Sequence, residues 1–384
     1  MFSTPALVAS CVGFALIGSL QSFYGPSIPA LRTEFGLSPA AAGVGLTAHF
    51  IGGVGGVLLF NRVHAHVGNR TLLGVSYALM ALGSAGFALA PTWPLALVAA
   101  FFAGLGFGGI DYGLNQLFAV GFGDRSTAML NVLNAFFGIG AVAGPALIGV
   151  LGADHYSVVF AGCGVVSALL LLFLRGVGDT SPHPEAPADQ AQGTAPASAR
   201  TRAWLVMTAF VVLYVLHVGV EAGVGGWEPT HLETVGYGSA FAASATSVFW
   251  LMMTVGRFLV VPLTLRLPEH VIVKVSCAGM AVCLAAASVP AVAPFMYAGV
   301  GLFIAPIFPT GLPWLTRTVP LARSAGAHVI AASMLGGVAA GPALGAMIQW
   351  AGARSVPLVL CVIAVCCLGT SAWIDRATRS GSPA

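Results

Sequence analysis

Charge is what this chain of 384 residues has least of. Only 7% of its residues are Asp, Glu, Lys or Arg, against about 25% in a soluble globular domain. Lysine occurs once, as Lys274, among 15 basic residues. So little charge cannot clothe a water-facing surface, and with 58% hydrophobic residues the chain reads as spanning helices. No basic stripe accompanies the net charge of +3, so nucleic acid is not an expected partner. HExxH, Gly-x-Ser-x-Gly and a phosphate-binding glycine loop are all missing, and the nine histidines are scattered. That removes the sequence basis for a metalloenzyme, a serine hydrolase or a nucleotide-driven enzyme. No enzyme activity, cofactor or metal is expected. The seven cysteines fall in apolar runs without metal or disulfide spacing and read as small core residues. No basic segment or cleavage motif marks the first apolar run as a signal peptide, so it reads as a retained helix.

What is present is a succession of apolar runs, each close to the roughly 20 residues that cross a bilayer. They fall at 5–27, 39–60, 71–91, 94–118, 128–151 and 157–175, and then at 203–225, 240–264, 270–290, 292–314, 324–349 and 355–374. The interval between the sets, rich in Pro, Ala and polar residues, predicts a linker that cannot bury a core. The expected domains are an N-terminal six-helix half (1–176), a cytoplasmic linker (177–202), a C-terminal six-helix half (203–376) and a short cytoplasmic tail (377–384). Twelve basic residues, Arg62 and Lys274 among them, fall on one side of the spans, and Arg32 and Arg354 on the other. The positive-inside rule then puts both termini in the cytoplasm. The arginine-, alanine- and glycine-rich composition suggests a bacterial chain, hence a multi-pass protein of the inner membrane.

The halves resemble each other. A shift of 200 places Gln21 on Glu221, Gly25 on Gly225, Pro29 on Pro229 and Gly36 on Gly236. A shift of 197 lays Gly140, Gly144 and Pro145 on Gly337, Gly341 and Pro342, inside a repeated GPAL. The expected fold is an all-α membrane protein of twelve transmembrane helices in two pseudo-symmetric halves, the plan of transporters that rock two bundles about a central site.

Polar residues inside spans are the candidate site, because a charge at the bilayer centre costs at least about 2.5 kcal/mol. Asp111 shares a helix face with Gly104, Gly108 and Asn115. Its role is to bind solute hydroxyls or carry a proton, or else to hydrogen-bond Asn131 or Asn134 on span five. Glu221 follows His217 by one turn, a pair able to pass a proton, with Tyr214 below them. Gln21 and Tyr24 share a face of span one and read as partners for a polyol. Arg257 either neutralises a carboxylate, binds an anionic solute or clamps the cytoplasmic end. Trp250 and Phe308 offer flat surfaces to a sugar ring, and His328 mirrors the span-five asparagines. The GPAL glycines and prolines read as packing or bending elements.

Taken together, these motifs resemble the major facilitator superfamily, and within it the fucose–galactose–glucose:proton symporter group. Those residues are Gly106, Gly108, Asp111 and Asn115 in span four; Leu130, Asn131, Phe137 and Gly138 in span five; Gly219, Glu221 and Trp227 in span seven; Gly256, Arg257 and Phe258 in span eight; and Pro306 to Pro309 in span ten. The resemblance implies proton-coupled uptake of a sugar or similar polar solute by alternating access, by a monomer. The alternative is proton-coupled export of drugs or metabolites, because a GxxxGP element also occurs in span five of the superfamily's antiporters. Two positions depart from the resemblance. Gly25 stands where the sugar symporters have an acid in span one, and Asn61–Arg62 where the superfamily usually has a gating Asp–Arg pair.

Overall fold

The structure, a computed structural model, describes residues 3–64, 66–178, 197–319 and 326–379. Among them twelve helical segments are long and apolar enough to cross a membrane, where the apolar runs predict them. Spans one to six are Thr4–Phe35, Pro39–Val63, Asn69–Ala88, Trp93–Gly121, Ser126–Leu151 and Tyr156–Leu170, the last continued by a 3-10 segment, Leu171–Gly176. Spans seven to nine are Ala197–Thr234, Ser239–Thr264 and Glu269–Ala286. Span ten is broken into Ala293–Ile304 and Ile307–Thr318, span eleven into Gly326–Ser333 and Leu335–Ala351, and span twelve is Val356–Arg379. Residues 179–196, most of the expected linker, lie outside the described residues.

Two expected boundaries are corrected. The sequence pattern ends span one at 27 and span seven at 225, near their prolines. The helices instead run to Phe35 and Thr234, with Pro26, Pro29 and Pro229 inside them. Buried neighbours hold these segments, and each proline removes only one hydrogen bond from a ladder of many. The actual stops are glycines with positive φ, Gly36 (63°) and Gly236 (105°), a backbone region L side chains disfavour. Gly152 (91°) and Gly352 (81°) end spans five and eleven in the same way. Each pair is 200 residues apart, so the repeat is written into the turns as well as the spans. At Ser38, the side chain accepts from Ala41 N (3.2 Å) ahead of Pro39 in the first turn of span two.

Within the halves the packing repeats. Span one lies on five as seven lies on eleven; three lies on four and six as nine lies on ten and twelve. A Cβ on Gly140 would meet Ala15 O at 1.7 Å, and one on Gly336 would meet Val215 O at 1.9 Å. Contact without side chains is how helices associate where the lipid offers no hydrophobic drive.

Between the halves, span one meets seven, two meets eleven and five meets eight. Toward the end where span one finishes, these contacts are backbone on backbone. A Cβ on Gly25 would lie 1.9 Å from Gly225 O, and Cβ atoms on Gly43 and Gly341 would each lie 2.2 Å from the other's carbonyl oxygen. The Thr47 hydroxyl donates to Val338 O at 2.7 Å nearby. This end is therefore closed. Toward the other end, which carries the chain termini, Gln116 and Asn131 are exposed.

Candidate functional site

Each half contributes a polar cluster, from spans four and five in the N-terminal half and from spans seven, eight and ten in the C-terminal half. In the N-terminal half, span four places Asp111 and Asn115 one turn apart. The Asn115 amide donates to both Asp111 Oδ1 and Asp111 O, each at 3.0 Å. Asn134 of span five donates in turn to Asn115 Oδ1 (3.3 Å) and to Leu130 O (2.9 Å). The direct partner of Asp111 is thus Asn115, and Asn134 supports it at one remove. Asn131 is exposed and joins neither. No cation pairs with Asp111 among the described residues.

In the C-terminal half, His217 Nε2 lies 3.6 Å from Glu221 Oε2. Glu221 also interacts with the Arg257 guanidinium of span eight and, across the divide, with the Gln21 amide of span one. Arg257 therefore reaches the cluster from its position on span eight. The Phe308 ring stacks over His217 (centroids 6.3 Å apart, planes at 23°) and meets Tyr214 at 5.1 Å. The break between the two helices of span ten puts Phe308 in the first turn after it.

Other expected residues lie elsewhere. Tyr24 does not share a surface with Gln21. Positions three apart on a helix differ by about 60° in direction, enough here to turn Tyr24 into the N-terminal core, against His49 (5.1 Å), Phe87 (5.4 Å) and Phe160 (5.1 Å). Trp250 is buried edge-on to Phe249 (5.1 Å), beside Gly225. Asn61 accepts from the Tyr112 hydroxyl (2.6 Å), which accepts from Gln116 (2.8 Å). Spans two and four are thereby tied within one half, while Arg62 is exposed. Gly140 and Gly144 bring span five onto Ser19 and Ser22 of span one, with the Ser19 hydroxyl donating to Gly140 O (3.0 Å) and Pro145 inside the helix. Their repeat mates Gly337, Gly341 and Pro342 face Phe50 and Gly43 across the halves. His328 lies outside the residues whose side chains are described.

Among the buried polar residues that the sequence pattern did not single out are Glu228, His231 and His49. With span seven ended at 225, Glu228 and His231 fell in a loop; the repeated Pro29 and Pro229 were the signal that the helix continues. His49 had no partner in sequence to mark it. No group of three or more His, Cys, Asp or Glu able to hold a metal occurs among the described residues.

Two six-helix bundles, each with its own polar cluster, define a secondary transporter of the membrane. The family model described as Major Facilitator Superfamily matches residues 10–325, and the chain belongs to that family: it is a multi-pass transporter and not an enzyme. Among solved structures it is similar to a D-xylose–proton symporter (15% identity, 97% of each chain covered, TM-score 0.79). It is likewise similar to the xylose transporter XylE from E. coli in a partially occluded inward-open conformation (15%, 98% of this chain and 99% of that one, 0.76). A third is the nucleoside transporter NupG (15%, 97% of this chain and 98% of that one, 0.74). At such identities the likeness is one of fold. No curated protein sequence matches this chain.

Proposed function

We propose that the protein takes up a small neutral polar solute, a sugar or similar polyol, together with protons, by alternating access. One observation carries the reading: groups from both halves, Gln21 on one side and His217 and Arg257 on the other, converge on Glu221. A solute bound there touches both bundles and so reports its presence to both. The two acids have different surroundings. Glu221 is compensated by Arg257, which suits it to orient solute hydroxyls, with the Phe308 ring as an apolar wall. Asp111 is held by a neutral amide alone, so its charge is uncompensated, which suits it to carry the coupled proton. A ligand shifts the two states only by binding them differently, and proton and solute each do so here.

Basic residues at the helix ends support the orientation. Arg62, Arg70, Arg125, Arg175, Arg202, Arg266, Lys274, Arg317, Arg376 and Arg379 lie at the end bearing the termini, with Arg32 and Arg354 at the other. With the first set cytoplasmic, in a bacterial inner membrane, the closed end is external and this state faces inward. The similar structures, a xylose–proton symporter and a nucleoside transporter, agree with a polar solute. So does the resemblance to the fucose–galactose–glucose symporters. Both clusters come from one chain, so a monomer suffices.

The test is uptake by purified protein in proteoliposomes under an inward proton gradient, with labelled hexoses, polyols and nucleosides. Asp111→Asn is expected to lose gradient-driven accumulation and keep solute counterflow. Glu221→Gln is expected to lose both. Counterflow of dyes or antibiotics by a wild type that moves no polar solute would transfer the protein to the exporters.

A further inference from the structure

Glu228 is 0% exposed; the Thr246 hydroxyl of span eight faces its carboxyl as the single hydrogen-bonding neighbour, and no cation pairs with it among the described residues. Such a group is not a packing residue. An ionised carboxylate in this enclosure, without a cation, carries a desolvation penalty that one neutral hydroxyl does not return. Its place in the helix is informative. Glu228 lies one turn beyond Gly225, over which the Gly25 backbone closes the external end. It is also two turns, or about 10.5 Å along the axis, from Glu221 on the same side of span seven.

We propose that Glu228 is a second proton site of the transporter, whose occupancy accompanies closure of the external end. This rests on the alternating-access reading above. When the halves part at Gly25–Gly225 and Gly43–Gly341, water reaches the carboxylate and it releases or accepts a proton. When they close, the carboxyl is sealed in its neutral form. The O–H bond made on closing is the one broken on opening, and no other reactant is needed. The neighbouring titratable groups are few. Glu228 acts on Tyr297 of span ten, whose hydroxyl lies 3.1 Å from His231 Nδ1, one turn further along span seven. Arg354, before span twelve, acts on His231. Span one brings Arg32 and Glu34 nearer the external end, but Arg32 is turned to Leu37 O and Glu34 accepts from Tyr156. The Leu335–Ala351 helix of span eleven has no Asp, Glu, Lys or Arg. A Tyr–His pair thus stands between Glu228 and the external face and can relay the proton.

Spin labels at Leu89→Cys and Ser288→Cys, on external turns of opposite halves, read the opening directly; both positions are exposed. Cys361 and Cys366, which are not buried, would be replaced first. In the otherwise native protein the label distance is expected to lengthen as pH rises and to shorten as it falls. Glu228→Gln, a neutral mimic, is expected to hold the short distance at every pH. Asp111→Asn should keep the pH-dependent movement while losing proton-driven uptake, which separates failure here from failure of the uptake reading. A Glu228→Gln protein that moves with pH as its parent does would overturn the proposal, as would a parent that never moves. Infrared spectra supply a readout that needs no change at Glu228. The Asp111→Asn/Glu221→Gln double variant should retain a buried, protonated carboxyl band, and its absence would overturn the proposal equally.

Discussion

At the scale of the residue, the N-terminal cluster is a chain with an order: Asn134 supports Asn115, and Asn115 holds Asp111. A hydrogen bond to a charged group is worth about 1.5–3 kcal/mol, or about ten- to hundredfold in an equilibrium. Asn115→Leu is therefore expected to lower proton-driven uptake at least about tenfold. Asn134→Leu, which touches only Asn115, should cost several-fold less. Initial uptake rates under one gradient compare the two, and equal losses would show that Asn134 acts on solute directly. Glu221 differs because its neighbours come from both halves. No single substitution within the C-terminal half reproduces the loss of Gln21, and transport should weaken in Gln21→Leu with the His217–Glu221 pair intact.

At the scale of the element, the glycines of spans two and eleven decide how closely two helices approach. Gly43 and Gly341 each face the other's carbonyl at a distance no Cβ tolerates, and neither backbone can step aside. Gly341→Val is expected to hold the external end apart, to lengthen the Leu89–Ser288 label distance at all pH and to reduce uptake to background. Gly53→Ala is its control, since a Cβ there finds ordinary contacts at 3.6 Å with Phe107 and 3.7 Å with Met334. It should transport normally. The closed end thus rests on shape. The charges cluster elsewhere, where Asp375 pairs with Lys274 (2.5 Å) and Arg379 (2.7 Å), and Glu269 with Arg317 (2.5 Å), all inside the C-terminal half. Asn61 accepts from Tyr112, and among the described residues no acid pairs with Arg62 across the halves at that end.

At the scale of the whole molecule, two bundles meet chiefly along three helix pairs: one with seven, two with eleven, five with eight. Those interfaces do not need the covalent link between the halves. Cleavage at a protease site inserted in the expected linker, 177–202, should leave the fragments together through affinity purification and keep most of the uptake. Fragments that separate in mild detergent would show that the linker, and not the interfaces, holds the halves in register.

Composition and periodicity determined the class, the twelve spans and the repeat, because a bilayer imposes length and apolarity on every crossing and a duplicated fold keeps its turn glycines. The i,i+4 pairs Asp111–Asn115 and His217–Glu221 were legible for the same reason: helix geometry alone brings them together. What only the tertiary structure decided is what faces what. It sent Tyr24 into the core and Gln21 across the divide, because a turn of about 60° on a helix buried on two sides separates core from cleft. It carried span seven through Pro229, because the neighbouring helices, and not local propensity, stabilise that turn. It thereby placed Glu228 in a sealed interior, where desolvation gives a carboxyl that looked like a loop residue its chemical consequence.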